Sequence, residues 1–331
     1  YLNGILSAAE GTGDERVLRR ALRAMDVMIA ASKEFPDGGR TYRVWGPFTV
    51  TADSPVPRPS LHFTFQAAVP FARAAAVIRA HPRFRTRHED AARRYVEFAD
   101  QLVIGYFYRR QLRASIPWLD PDRFPIWNDN ASNLGLTAAY LCQAGGDPEH
   151  CRIARTIGLA FKKKLAPYRG GWIWENQTIP IGSDTDNTPG SVGNQAGVPD
   201  TSHANREAFL MTTLSEMGLL FSPADLDRMA RTLTDTLWNQ SLADPMFANY
   251  LNGSDKPYRV YKQAGLNGSI YHGWALMGGY SPRAQEALIA TLKAIVLGKH
   301  NPSLERNATS YGGRVGLAGH ILRNFRPPRR A

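Results

Sequence analysis

Apolar residues recur along most of this chain at helical spacing. Leu18, Leu22, Met25 and Ile29 form one stripe at i, i+4, i+7 and i+11, which lines up on a single face of a 3.6-residue helix. The same pattern predicts helices near 14–32, 60–81, 87–112, 130–144, 149–166, 202–220, 223–240, 266–279, 283–297 and 313–324. Asp147-Pro148 and Ser222-Pro223 are start signals, a capping side chain followed by proline at the first helical position. Strand signals are sparse, with Thr41 to Val50 and Trp172 to Glu175 the best candidates for short ribbons.

The predicted helices are of two alternating kinds. Those at 14–32, 87–112, 149–166, 223–240 and 283–297 carry many charges on one face, whereas those at 60–81, 130–144, 202–220 and 266–279 are small and apolar. The first set is expected outside and the second buried. The expected fold class is therefore all-α, an α/α toroid of antiparallel inner and outer helices with long loops at one mouth. One catalytic domain would span 1–325, with a basic tail at 326–331. Parallel inner helices would bring their N-termini to that mouth, where unpaired N–H groups and dipole ends favour anions. The loops 33–59, 113–129, 167–200 and 241–265 each precede an inner helix, and Ile179 to Pro199 is long enough to act as a lid.

Composition narrows the partner. The 331 residues are 43% hydrophobic and carry a net charge of +11, which points to an acidic partner. No concentrated basic helix or RNA-binding aromatic motif occurs, so nucleic acid is not expected. No apolar run suits membrane insertion. Cys142 and Cys151 flank a Gly-Gly-Asp-Pro turn that would bring two helices, and the sulfurs, within bridging range. A disulfide implies an oxidising compartment, hence a secreted or periplasmic location. The start at Tyr1 without a Met fits removal of a leader or of some other N-terminal segment.

Polar clusters stand at the starts of the four apolar helices: His62 closing Pro-Ser-Leu-His, Trp127 to Asn133, Asp200 to Arg206, and Asn267 to His272. In Asp-Thr-Ser-His, Asp200 or Thr201 can cap the helix, which puts His203 in its first turn. The loop from Asn249 to Tyr261 adds Asn252, Tyr258, Arg259 and Tyr261. Trp45, Trp118, Trp127, Trp172 and Trp174 lie in mouth-side loops, where indole rings could stack on sugars, although one or two must belong to the core. Metal-binding motifs, a serine nucleophile elbow, a phosphate loop and a dinucleotide fingerprint are all missing from the sequence. The expected chemistry uses no metal and no cofactor.

Asn, His, Arg and Tyr together suit β-elimination on a uronic acid sugar. Abstraction of the weakly acidic C5 proton puts charge on the adjacent carboxylate, which Asn, Arg or protonated His can neutralise. Tyr can serve as base and then acid if cations depress its pKa from about 10. At Asp200 to Arg206, Trp127 to Asn133 and Tyr258-Arg259-Val260-Tyr261 the chain resembles α/α-toroid polysaccharide lyases, nearest the glucuronan and alginate lyases of polysaccharide lyase family 38. The resemblance implies that His203 binds the carboxylate or acts as base and that Asn130 helps to neutralise it. It implies Tyr258 as acid and base, with Arg259 holding charge. Asn128, Asn133 or Arg206 could take the Asn and Arg roles, and Tyr261 competes with Tyr258. Trp127, Trp172, Trp174, His62, His272 and Asn252 complete the expected substrate contacts. The substrate would be an acidic polysaccharide. The alternatives are a glycoside hydrolase using a carboxylate pair from Glu175, Asp184, Asp186 and Asp200, and a non-catalytic acidic-glycan-binding protein.

Overall fold

The computed structural model describes residues 1–37, 40–45, 48–51, 54–59, 61–101, 128–145, 147–175, 198–253, 270, 273–298 and 311–325. The expected tail at 326–331 and all but the end of the expected lid lie outside these. The described chain is mostly helical, as an all-α protein should be. Helices α1 (Leu2–Thr12) and α2 (Glu15–Ala31) lead into the hairpins β1 (Lys33–Asp37) with β2 (Arg40–Val44), and β3 (Phe48–Thr51) with β4 (Ser54–Pro59). Then come α3 (Leu61–Ala80), α4 (Pro82–Ala99), α5 (Asn128–Gln143), α6 (Pro148–Lys162), and the hairpin of β5 (Ala166–Tyr168) with β6 (Gly171–Ile173). Helices α7 (Thr201–Glu216), α8 (Pro223–Arg231), the short α9 (Gly273–Leu276), α10 (Pro282–Val296) and α11 (Tyr311–Asn324) follow.

Local chemistry accounts for most boundaries. Asp14, Asp147 and Ser222 cap α2, α6 and α8, with Ser222 and Asp225 forming a reciprocal capping box. Four boundaries differ from expectation. Helix α1 went unpredicted because its small residues give no contrasting polar face. Helix α4 starts at Pro82 rather than 87, and its kink at His88 (φ −130°) falls where the periodic pattern changes. Helix α8 ends at Arg231 and gives way to a π-turn over Thr232–Leu237, since the Thr232 hydroxyl is engaged by β6. Ile270 is not helical, so the fourth apolar helix is shorter than 266–279.

Helices α3, α5, α7, α9, α11 and α1 form a closed sequence of neighbours, each packed on the next and α1 packed back on α3. Residue numbers rise together across these interfaces. Gly135 faces Leu210 and Tyr140 bonds Thr213. Ser7 bonds His320, and Gly11 faces Arg323. Phe209 meets the ring of His320, while Glu216 pairs with Arg323. Helices α1, α5, α7 and α11 therefore run parallel. Helices α4 and α6 return antiparallel outside α3 and α5, and the Cys142–Cys151 disulfide ties α5 to α6 with Cα atoms 5.0 Å apart. The buried apolar residues form one cluster with members from every described helix.

Where α1, α3, α7 and α11 meet, the packing is polar. Arg73 of α3, 1% exposed, donates to the Asn3 carbonyl and to Ser7 Oγ, both at 2.6 Å, and pairs with Glu10 at 3.3 Å. Arg323 bridges Glu10 (2.9 Å) and Glu216 (2.5 Å), and the Tyr280 hydroxyl donates to Glu216 at 2.8 Å. Burial opposes the charge on Arg323, but the two glutamates outweigh it and raise its pKa well above the ordinary value. Of these groups Glu10, Glu216 and Arg323 come from the C-terminal turns of α1, α7 and α11 and line one space. With Tyr140 and Thr213 they enclose a cavity of about 30 Å³, room for a water molecule.

Helices α1 and α11 approach each other closely through glycine. A Cβ at Gly319 would overlap the Gly4 carbonyl, whereas one at Gly316 would meet open space. Gly319→Ala is expected to destabilise the protein by about 1–3 kcal/mol through overpacking. Gly316→Ala should stabilise it by roughly 0.5–1 kcal/mol through helix propensity. Denaturant unfolding of the two variants checks this; equal effects would remove the close approach as the reason for glycine.

Candidate functional site at the helix N-termini

The N-terminal ends of the inner helices lie opposite the Glu10–Arg323–Glu216 cluster. The best-described part of that end is the start of α7. Its first turn is anchored on two sides: Thr201 N–H donates to Asn249 O (2.7 Å), Thr201 Oγ1 to Ala248 O (2.6 Å), and Trp274 Nε1 to Thr201 O (2.9 Å). Leu251 N–H reaches Pro199 O at 3.1 Å, so residues 247–251 run alongside 199–201. Within this clamp Asp200, 1% exposed, accepts from the N–H groups of Ser202 (2.9 Å) and His203 (3.1 Å).

The other Asp200 oxygen receives His203 Nδ1. Burial alone would raise the Asp200 carboxyl; the hydrogen bond and charge of His203, with the Ser202 hydrogen bond, overcome it and hold the pKa below its usual 3.8. A carboxylate on Nδ1 fixes the imidazole orientation and puts Nε2 on the opposite edge as the basic nitrogen. The His203 side chain remains 40% exposed, so the pair is held from within and open at the rim. The cap and the position of His203 match the sequence expectation; the Asp–His pair itself was missed, though its i, i+3 spacing was visible.

Helical spacing places two more candidates. On α7, Phe209, Thr213 and Glu216 contact the central polar groups, and buried Arg206 lies one turn before Phe209 on that inward face. On α5, Tyr140 faces the centre, and Asn133, seven residues earlier, shares its face. Asn133 is buried, and its Nδ2 has no hydrogen-bond partner among the described residues. Asn205 is also buried, giving Nδ2 to the Ser202 carbonyl while Oδ1 has no such partner. Lys164 lies near Glu175 and Glu207; burial lowers its pKa to about 8 against the opposing pull of both glutamates. The run Lys162-Lys163-Lys164 reads as a solvated face, yet Lys164 continues the buried Ile153, Ile157, Phe161 stripe.

One expected tryptophan contact, Trp174, is corrected. Trp174 is 2% exposed and packs edge-on against Phe161 and stacked with Trp274, so its faces belong to the core. Trp172 donates Nε1 to Asp225 O (3.1 Å) and lies beneath Arg228; it anchors the β5–β6 hairpin to α8. Trp45 donates to Met28 O and stacks on Phe71, again as packing. Asn252 lies next to the clamp, its carbonyl accepting from Tyr168 OH at 3.2 Å. His62 falls in the first turn of α3, and Asn128 and Asn130 in that of α5, with side chains outside what is described. Trp118, Trp127, Asp184, Asp186, Tyr258, Arg259, Tyr261 and His272 lie outside the described residues. No group of three or more metal-ligating side chains occurs among the described residues, and no described helix is long and apolar enough to cross a membrane.

Comparison of the chain with protein-family models, curated proteins and solved structures returned no match.

The depressed Asp200 pKa gives a signed pH dependence. Its carboxylate contributes stability above the unfolded value near 4, and that contribution is lost as pH falls through the lower folded value. Asp200→Asn should therefore be less stable than wild type at pH 7 by about 1–3 kcal/mol. The gap should shrink below about pH 4, and denaturant midpoints measured at both pH values test it.

Proposed function

We propose that this protein is a secreted or periplasmic polysaccharide lyase on an α/α toroid, cleaving a uronic-acid polysaccharide of glucuronan or alginate type by β-elimination. The closed sequence of inner helices supports the toroid, and the disulfide supports an oxidising compartment. The observation that carries the chemistry is the carboxylate-held imidazole at the rim, with a buried guanidinium and a carboxamide whose Nδ2 has no partner among the described residues on the inward faces of α7 and α5.

In this reading the sugar carboxylate sits at the helix N-termini, neutralised by Arg206 and the Nδ2 group of Asn133, with Asn130 and Arg259 as further donors. His203 Nε2 takes the C5 proton while Asp200 stabilises the resulting imidazolium. The C5–H electrons become the C4–C5 double bond, the C4–O bond breaks, and the leaving oxygen takes a proton from Tyr258 or Tyr261. The Asp200 carboxylate is spent on two N–H groups and an imidazole, which disfavours it as one of a hydrolase's free acid pair.

Incubation with glucuronan and alginate should give a product absorbing in the ultraviolet at its new double bond. His203→Ala should lower the rate by about 10²–10⁴-fold, and of Tyr258→Phe and Tyr261→Phe only one should abolish turnover. Reducing ends appearing without that absorbance would refute the lyase and favour a hydrolase.

A further inference from the structure

Outside the rim, the β5–β6 hairpin and α8 enclose an open groove of about 430 Å³, lined by Pro167, Gly170, Gly171, Asp227, Arg228 and Arg231. That size is within the roughly 300–1,000 Å³ of small-ligand sites. The walls are rigid. Trp172 N–H donates to Thr232 Oγ1 (2.8 Å), which donates back to Trp172 O (2.9 Å), and a Cβ at Gly171 would press on the Thr232 backbone.

The groove is cationic by placement. Arg228 lies 4.8 Å above the Trp172 ring and Arg169 lies 5.1 Å from the Tyr168 ring, and neither guanidinium has a hydrogen bond or ion pair among the described residues. Rings that hold guanidiniums by their faces leave the N–H edges for an acceptor, with little ordering left to lose on binding. Arg231 adds a third charge, shared with Asp227 at 3.0 Å. The hairpin turn is also unusual. Arg169 (φ 48°) and Gly170 (φ 81°) both adopt positive φ, as in a type I′ turn, whose first position favours Asn, Asp or Gly. Arginine there costs backbone strain, and it stands next to Gly170, which lines the groove. The hairpin in turn touches the site, through Tyr168 OH to Asn252 O.

We propose that this groove is an anion subsite that binds a carboxylate-bearing sugar of an acidic polysaccharide chain lying across the rim, several units from His203. The inference rests on the lyase reading for its substrate but is testable by binding alone. In a His203→Ala background, titration with polyglucuronate and with a glucuronate disaccharide separates long-chain from local binding. Adding Arg169→Asn and Arg228→Ala should weaken polymer binding roughly tenfold or more, the scale of losing charge-assisted hydrogen bonds, and leave disaccharide binding unchanged. Arg169→Asn alone should weaken the polymer while keeping or raising the melting temperature, which separates a binding loss from a folding loss. Unchanged polymer affinity, equal loss for the disaccharide, or single-stranded DNA competing as well as the polymer would each overturn the subsite. If wild type makes no unsaturated product but polymer affinity still falls in the variant, the lyase reading fails and the groove stands.

Discussion

Parallel alignment of α1, α5, α7 and α11 is the constraint on which the molecule depends. Helices packed side by side in one direction bring like dipole ends together, which is unfavourable unless opposite charge gathers at each end. Toward the C-terminal end arginines are matched by Glu10, Glu89 and Glu216, so hydrogen bonds and ion pairs rather than net charge hold that end. Arg79 donates to the Ala144 carbonyl, while Arg73 and Arg323 join α1, α3, α7 and α11 through Glu10 and Glu216. At the N-terminal end Asp200 supplies one negative group.

The central polar cluster is costly to bury and is therefore fully connected. Arg73 is satisfied by a carbonyl, a hydroxyl and a carboxylate, and its planar face rests on Tyr140 and Phe209 at 5.8 and 5.3 Å. Removing one member would strand a buried charge. Such a network ties α1, α3, α5, α7 and α11 into one frame, and the frame fixes where the opposite helix ends lie. Geometry at the His203 rim is thus inherited from contacts at the far end of the same helices.

The outer helices were legible in the sequence because one face of each is wet. Leu18, Leu22 and Met25 are buried at the spacing that predicted α2, and the Asp147 and Ser222 caps behave as read. Helices buried on all sides carry less signal, and α1 was missed for that reason. At the site, Asp200 to Arg206 was legible because capping is local. Trp174 was misassigned because a ring in a polar loop looks the same whether it turns inward or outward. Lys164 was read as solvated because its burial depends on Glu175 and Glu207, 11 and 43 residues further along the chain. Distant partners leave no local pattern.

The glycine seam between α1 and α11 also orders events during folding. Ser7 and His320 bond across 313 positions, so this joint forms only after most of the chain is in place. Contacts at such separation are slow to form because the intervening chain must first lose its freedom. Until then the α1 seam presents bare backbone and small side chains to solvent, a surface another unfinished copy could occupy. The last joint to form is therefore the weak point for misassembly, and crowding of nascent chains would act there first.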